Sequence, residues 1–233
     1  MNMAYTHLFF DADGTLFDFN TSEKKALEKA VRALCGTWDD AFVQLYHQAN
    51  KAAWKELEKK LITLDRLKVL RFERFLEQVD LKLDPAEISR VYTGFLAQSD
   101  DLFPNALEIL EKLYKKYSLV LVTNGITDVQ RGRVRATDTE KYFKAIVISE
   151  EVGVAKPDPT FFRIASERSG NPAKEKILMI GDSMTSDIPG AMNFGIDSCL
   201  IVPPHKEVPE FAPGDKRPNY IIRNLKQLEE ILR

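Results

Sequence analysis

Two aspartates separated by one residue follow directly on an apolar run near the start of the chain. Asp11 and Asp13 come after Leu8-Phe9-Phe10, a run without a polar break that is typical of a strand buried on both faces of a parallel sheet. Ligands bind outside the carboxyl ends of such strands, and Gly14 frees the backbone to turn there. We therefore expect both carboxyl groups to work in one small volume, one attacking a substrate and the other transferring a proton.

Other polar groups stand at the ends of three later apolar segments. They are Thr123-Asn124-Gly125, Gly181-Asp182 with Asp187 five residues after Asp182, and Lys156 before a proline. Each is a weak signal alone, because Asp-x-Asp often caps a helix and Thr-Asn-Gly often forms a turn. The carboxyl ends of parallel strands share one edge of the sheet, so we expect these groups to converge on one crevice, where Thr123, Asn124, Gly125 and Lys156 would bind the substrate.

Three carboxylates in one crevice repel one another unless a cation lies among them. With oxygen ligands only, a hard ion is expected, and Mg²⁺ is the natural candidate. Lys156 and the Thr123 hydroxyl would hold a second anion against that ion, and we expect that anion to be a phosphate. Asp11 can then attack phosphorus, while Asp13 can protonate the leaving group and later deprotonate a water.

Composition excludes several partners. The 233 residues carry 33 Lys and Arg against 35 Asp and Glu, a net charge of -2, which provides no broad basic surface for a nucleic-acid polymer or an anionic membrane. Cys35 and Cys199 lack metal-ligand spacing, so neither a zinc site nor a disulfide framework is expected. No apolar run approaches the roughly 20 residues of a membrane span, and no signal peptide is expected. These features predict a soluble, cytoplasmic protein.

The periodicity of apolar residues changes along the chain. From about Thr21 to Ser99 it is helical only, and a further helix is expected to open at Pro104. Short apolar strands then alternate with helical segments, which indicates a parallel sheet. We predict an α/β fold: a doubly wound, Rossmann-like core formed by 1–17 and 101–233, with an inserted all-helical cap at 18–100.

The motifs resemble, in order and spacing, those of the haloacid dehalogenase superfamily of phosphohydrolases. The match comprises Asp11-Ala12-Asp13-Gly14-Thr15, Thr123-Asn124-Gly125, Lys156-Pro157 and Gly181-Asp182-Ser183 with Asp187. The resemblance implies Asp11 as nucleophile, Asp13 as acid and base, and Mg²⁺ held by Asp11, the Asp13 carbonyl and Asp182. It also implies that Asp187 orients the metal's waters or Lys156, and that the helical insertion is a four-helix cap that selects the substrate.

A narrower resemblance is to the bacterial house-cleaning pyrimidine 5'-nucleotidases. It rests on the segments 9–17, Asn50-Lys51-Ala52-Ala53-Trp54 and 148–157, and it implies nucleoside monophosphates such as UMP, dUMP and dTMP as substrates. Asn50, Lys51 and Trp54 could contact such a substrate from one helix face, or Trp54 could simply pack in the cap. We expect a small-molecule phosphomonoester as the partner, and a monomer or weak homodimer.

Several alternatives remain open at the level of sequence. The substrate could be a sugar phosphate or phosphoglycolate, the enzyme could be a phosphomutase of the same superfamily, or the chain could be a non-catalytic phosphate-binding regulator. Arg131, Arg133 and Arg135 alternate along a predicted helix, which favours a solvated surface for all three.

Overall fold

The computed structural model describes residues 5–212 and 215–232. Six parallel strands form one sheet in the order β3-β2-β1-β4-β5-β6. The strands are β1 His7–Phe10, β2 Ser118–Thr123, β3 Phe143–Ile148, β4 Ile177–Gly181, β5 Asp197–Ile201 and β6 Tyr220–Ile222. The predicted α/β class and doubly wound parallel sheet are confirmed. The strand order reverses at β1, which is where such sheets bind their ligands.

Ten α-helices are found in the described part of the chain. They are α1 Phe19–Cys35, α2 Ala41–Glu58, α3 Leu64–Leu76, α4 Pro85–Leu96, α5 Ala106–Leu113, α6 Thr127–Ala136, α7 Ser149–Val152, α8 Pro159–Ser169, α9 Asp187–Phe194 and α10 Leu228–Ile231. Within this described part, no helix is sufficiently long and apolar to cross a membrane.

The chain divides into two compact units, one made of Met1–Phe19 with Asp100–Arg233 and the other of Asn20–Ser99. The first, which we call the core unit, contains the sheet and α5–α10. The second, the helical unit, contains α2–α4 and nearly all of α1.

The apolar run of β1 is buried on both faces of the sheet, as a central parallel strand requires. Leu8 and Phe10 pack in one apolar cluster, and Phe9 packs in another with Phe161 and Phe162. All three residues of the run are fully buried. This burial anchors the strand, so the loop that follows Phe10 leaves a fixed point of the sheet.

The helix expected to open at Pro104 begins two residues later. Asn105 adopts a left-handed conformation with φ 68°, and α5 starts at Ala106. Asparagine tolerates this conformation better than most residues, so Pro104 lies in the preceding turn rather than in the first turn of the helix.

The helical unit has an aromatic interior with a buried polar chain inside it. The rings of Tyr46, Phe72 and Tyr92 lie with their centroids 4.9–5.3 Å apart. Beside them, Asn50 Nδ2 donates to Glu23 Oε1 at 2.7 Å. Buried polar groups are costly without hydrogen bonds, and this pairing joins α1 to α2.

Candidate active site

The polar residues predicted to converge stand at the carboxyl ends of three adjacent strands. Asp11 directly follows β1, Thr123 is the last residue of β2, and Asp182 directly follows β4. The register pairs Phe10 with Leu121 on one side and with Ile180 on the other, and the Asp11 N–H donates to the Ile180 carbonyl at 2.9 Å. Parallel pairing therefore brings these strand ends to one edge of the sheet.

Lys156 extends its ammonium group into this edge. Its Nζ lies 2.5 Å from Asp11 Oδ1 and 2.7 Å from Asp187 Oδ1, and it donates to the Val122 carbonyl at 2.8 Å. The lysine side chain is 1% exposed. A buried ammonium needs such partners, so Lys156 connects the loop before α8 to two carboxylates of the site.

Asn124 fixes the backbone of Lys156. The Asn124 amide donates from Nδ2 to the Lys156 carbonyl and accepts at Oδ1 from the Lys156 N–H, both at 2.9 Å. The Asn124 side chain thus makes with the Lys156 backbone the two hydrogen bonds that a neighbouring strand would make in a sheet. The side chain of Asn124, which the sequence offered as a substrate contact, is engaged in holding the lysine, while the next residue, Gly125, donates its N–H to Ser149 Oγ at 3.2 Å.

Asp187 is the most deeply buried carboxylate of the group. It opens α9, is fully buried, and accepts a hydrogen bond at Oδ2 from the Ser183 N–H at 3.1 Å. A Cβ on Gly181 would lie 2.5 Å from the Asp187 Cγ, so the glycine at the end of β4 makes room for this side chain.

Burial and neighbouring charges shift the pKa values of Asp11, Asp182 and Lys156. Desolvation raises the pKa of Asp11 well above its usual range, against the opposing charge of Lys156. Desolvation, followed by repulsion from Asp187, raises the pKa of Asp182 to about 6. The neighbouring carboxylates raise the pKa of Lys156 despite its burial. The lysine therefore stays charged while the carboxylates compete for one cation.

The three carboxylates of the site have the composition of a metal-binding cluster. Asp11, Asp182 and Asp187 each offer a carboxylate oxygen, and these oxygens lie within 4.8 Å of one another. When ionised, the three carboxylates outnumber Lys156 by two charges. A hard divalent cation with oxygen ligands matches both the charge and the donor set, so the cluster could hold Mg²⁺.

Asp13 has a separate set of partners on α6. Its Oδ2 accepts from Gln130 Nε2 at 2.7 Å, and its Oδ1 accepts from Arg133 Nη1. Arg133 is fully buried, so the expectation of a solvated Arg133 was wrong. The sequence contained one signal for this contact, because residues 130 and 133 are three apart and therefore share a helix face. Arg135, in contrast, is exposed.

The three residues of α2 that the sequence offered as substrate contacts differ in their surroundings. Asn50 is buried, with its Oδ1 accepting from Arg71 Nη1 at 3.3 Å and its amide donating to Glu23. Lys51 is exposed and Trp54 is half-buried. Sequence reasoning missed Arg71, whose Nε and Nη2 have no hydrogen-bond partner among the described residues.

A doubly wound parallel sheet with carboxylates and a buried lysine gathered at the carboxyl ends of its strands defines a Rossmann-like α/β enzyme. The family model of haloacid dehalogenase-like hydrolases matches residues 5–195. The chain belongs to this family, and it is a phosphatase.

Two characterised relatives and one solved structure are similar to this chain over most of its length. The chain is 33% identical to pyrimidine 5'-nucleotidase YjjG of Escherichia coli, covering 99% of both chains. It is 36% identical to pyrimidine 5'-nucleotidase PynA of Streptococcus pneumoniae, covering 88% of this chain and 87% of that one. The magnesium-bound structure of the putative HAD-hydrolase YfnB from Bacillus subtilis superimposes with a TM-score of 0.89 at 30% identity, covering 98% and 99% of the two chains. The resemblance to this group of phosphohydrolases is confirmed.

Gly14 provides a test of the space around Asp182. It has φ +85°, and a Cβ at this position would lie 2.6 Å from the Asp182 Cγ. Gly14→Ala should therefore displace the carboxylate, in addition to a left-handed backbone strain of about 1–2 kcal/mol. Because a misplacement of about 1 Å can reduce rates about 10²-fold, we expect a loss of that order in kcat for a phosphomonoester.

Gly153→Ala is the matched control for this substitution. Gly153 has φ +70°, but an added Cβ would meet nothing within 4 Å. Both variants should lose similar stability from the backbone, as measured by urea denaturation, but only Gly14→Ala should lose activity. Equal activities of the two variants would show that Asp182 tolerates the added methyl group.

Proposed function

We propose that this phosphatase is a 5'-nucleotidase that hydrolyses pyrimidine nucleoside monophosphates, such as UMP, dUMP and dTMP, with Mg²⁺ as cofactor. The substrate class is supported by the two pyrimidine 5'-nucleotidases that match the chain over most of its length. The reaction type is supported by one observation above all: Asp11 stands at the end of the central strand, in ion-pair contact with a buried lysine and beside two further carboxylates.

In the proposed first step, Asp11 attacks phosphorus in line and forms an aspartyl-phosphate, which divides one difficult step into two easier ones. Asp13 gives a proton to the leaving oxygen. Lys156, the Thr123 hydroxyl and the backbone N–H of Asn124 bind the phosphoryl oxygens and stabilise the charge that develops on them.

In the second step, Asp13 takes a proton from a water that attacks the aspartyl-phosphate, which releases phosphate and restores Asp11. Mg²⁺, when bound, neutralises charge on the phosphoryl oxygens. Asp11, the backbone carbonyl of Asp13 and Asp182 would hold the ion. The contact of Asp187 with Lys156 at 2.7 Å supports a role for Asp187 in orienting that lysine.

The helical unit is proposed to act as the cap, with limits near residues 18 and 100. Such a cap excludes water and selects the substrate, while the core unit carries out the chemistry. Asn50, Lys51 and Trp54 of α2 are proposed to contact the nucleoside. We further propose that the enzyme acts in the cytoplasm, as a monomer or weak homodimer, on a small phosphomonoester.

A substrate screen tests this function. We expect kcat/KM to be highest for UMP, dUMP and dTMP among pyrimidine and purine monophosphates, sugar phosphates and phosphoglycolate. Chelation should abolish all turnover, and added Mg²⁺ should restore it. A higher kcat/KM for a sugar phosphate would contradict the pyrimidine assignment while leaving the phosphatase activity in place, and activity that survives exhaustive chelation would contradict the cofactor assignment.

A further inference from the structure

Both oxygens of the Asp13 carboxylate are held by one helix. Gln130 Nε2 donates to Oδ2 at 2.7 Å and Arg133 Nη1 donates to Oδ1. Residues 130 and 133 lie one turn apart on α6, and both side chains are at least 98% buried. Donors on a rigid helix restrict a side chain more tightly than donors on a loop do, so Asp13 has little freedom to rotate.

Arg133 is itself confined around this contact. Its guanidinium lies 4.4 Å from the centroid of the Phe17 ring. Among the described residues, its Nε and Nη2 have no hydrogen-bond partner, and Asp13 is its ion-pair partner. A buried guanidinium needs hydrogen-bond acceptors, so Arg133 holds the Asp13 carboxyl group in this orientation.

Gln130 reaches Asp13 because a neighbouring residue has no side chain. A Cβ on Gly125 would lie 2.8 Å from Gln130 Nε2 and 3.0 Å from its Cγ. The loop after β2 therefore leaves space for the glutamine. The loop from Asp13 to Phe17 is also closed on itself, since the Gly14 N–H donates to the Phe17 carbonyl at 3.0 Å.

Building on the proposed function, we propose that Gln130 and Arg133 are positioning residues that aim the Asp13 carboxyl group at the leaving-group oxygen. As an Asp11 carboxylate oxygen bonds to phosphorus, the bond between phosphorus and the leaving-group oxygen breaks, and its electron pair stays on that oxygen, which takes the Asp13 proton. Asp13 then accepts a proton from the attacking water, the water oxygen bonds to phosphorus, and the Asp11–phosphorus bond breaks. Neither positioning residue touches the substrate.

Leaving-group chemistry separates this role from a purely structural one. A nucleoside or alkyl phosphate releases a poor leaving group and needs the proton from Asp13. Dinitrophenyl phosphate releases a stable phenolate and does not need it. If Asp13 is wrongly oriented, hydrolysis of a nucleoside or alkyl phosphate should therefore slow more than hydrolysis of dinitrophenyl phosphate. A damaged fold should slow the hydrolysis of both substrates equally.

The experiment compares kcat/KM for UMP and for 2,4-dinitrophenyl phosphate in Arg133→Met and Gln130→Met, with Mg²⁺ present. Proton transfer is typically worth about 10²- to 10⁴-fold. For Arg133→Met we expect a loss of about 10²-fold with UMP and a loss at least about 10-fold smaller with dinitrophenyl phosphate. The variant should also show a burst of dinitrophenolate, because the second step then limits turnover.

Arg135→Met is the matched control, since Arg135 is exposed on the same helix and should leave both substrates unaffected. If Arg133→Met does not fold, Gln130→Met, which removes no charge, tests the same prediction. Equal losses with both substrates, or full activity on UMP, would overturn the proposal. If the wild-type enzyme rejects UMP but hydrolyses glycerol phosphate, the nucleotide assignment fails, and the leaving-group comparison proceeds with glycerol phosphate.

Discussion

Asp11→Asn should reduce kcat by at least about 10⁴-fold, because an amide cannot form the acyl-phosphate and removal of a nucleophile costs up to about 10⁶-fold. The loss should be seen with both UMP and p-nitrophenyl phosphate. Intact-mass spectrometry after a rapid quench should detect a phosphoryl adduct on the wild-type enzyme and none on the variant. Retention of the adduct in Asp11→Asn would remove Asp11 from the nucleophile role.

The same variant should fold at least as well as the wild-type protein. Burial raises the pKa of Asp11, so the native state binds a proton that the unfolded chain has already released, and stability falls as the pH rises above the usual range of an aspartate. Asparagine removes this effect while Lys156 keeps its contact with Asp187. In metal-free buffer at pH 7.5 we expect a higher urea midpoint for Asp11→Asn, with a difference that vanishes at acidic pH.

Asp80→Asn controls for the chemical change itself, because Asp80 is exposed in the loop after α3. It should leave both kcat and the urea midpoint unchanged. A lower midpoint for Asp11→Asn at pH 7.5 would show that the ion pair with Lys156 outweighs the cost of burying the carboxylate.

Lys156→Met should have the largest effect on stability. The substitution removes the cation that contacts Asp11 and Asp187, both of which are buried. Breaking a buried ion pair from one side costs about 3–5 kcal/mol, which corresponds to a fall in Tm of roughly 6–20 °C for a chain of this size. Because Lys156 is proposed to bind phosphoryl oxygens, its loss should also reduce kcat by about 10²- to 10³-fold.

The stability loss in Lys156→Met should depend on pH. Without the ammonium group, Asp11 retains its proton to higher pH, and the native state then loses stability as the pH rises through the raised pKa of Asp11. Urea denaturation in metal-free buffer should therefore show a larger deficit at pH 8 than at pH 5. Lys115→Met, at an exposed position, provides the control; a deficit that is the same at both pH values would contradict this account.

The strands could be predicted because their signal is local. A buried parallel strand needs only a short apolar run with turn residues at its end, and the runs before Asp11, Thr123 and Asp182 are of this kind. The start of α5 was missed because it depends on a left-handed Asn105, a conformation that proline at position 104 does not reveal.

The pairing of distant side chains could not be predicted from the sequence. Arg133 contacts an aspartate 120 residues away, and no local pattern distinguishes it from Arg131, which instead pairs with Glu151 on the surface. Asn124 was expected to meet substrate, and its engagement with the Lys156 backbone depends on two loops meeting across 32 residues. Such contacts are fixed only when the sheet brings distant segments together.

By itself the sequence determined the class of fold, the strand ends at which the polar residues of the candidate site stand, and the family, because apolar periodicity and motif spacing are properties of short segments. The tertiary structure alone decided the partners of each carboxyl group. Asp11 lies against Lys156 and Asp13 lies against Gln130 and Arg133. Two aspartates one residue apart therefore occupy different electrostatic surroundings, since partners from distant helices and loops, rather than their spacing in the chain, set the environment of each.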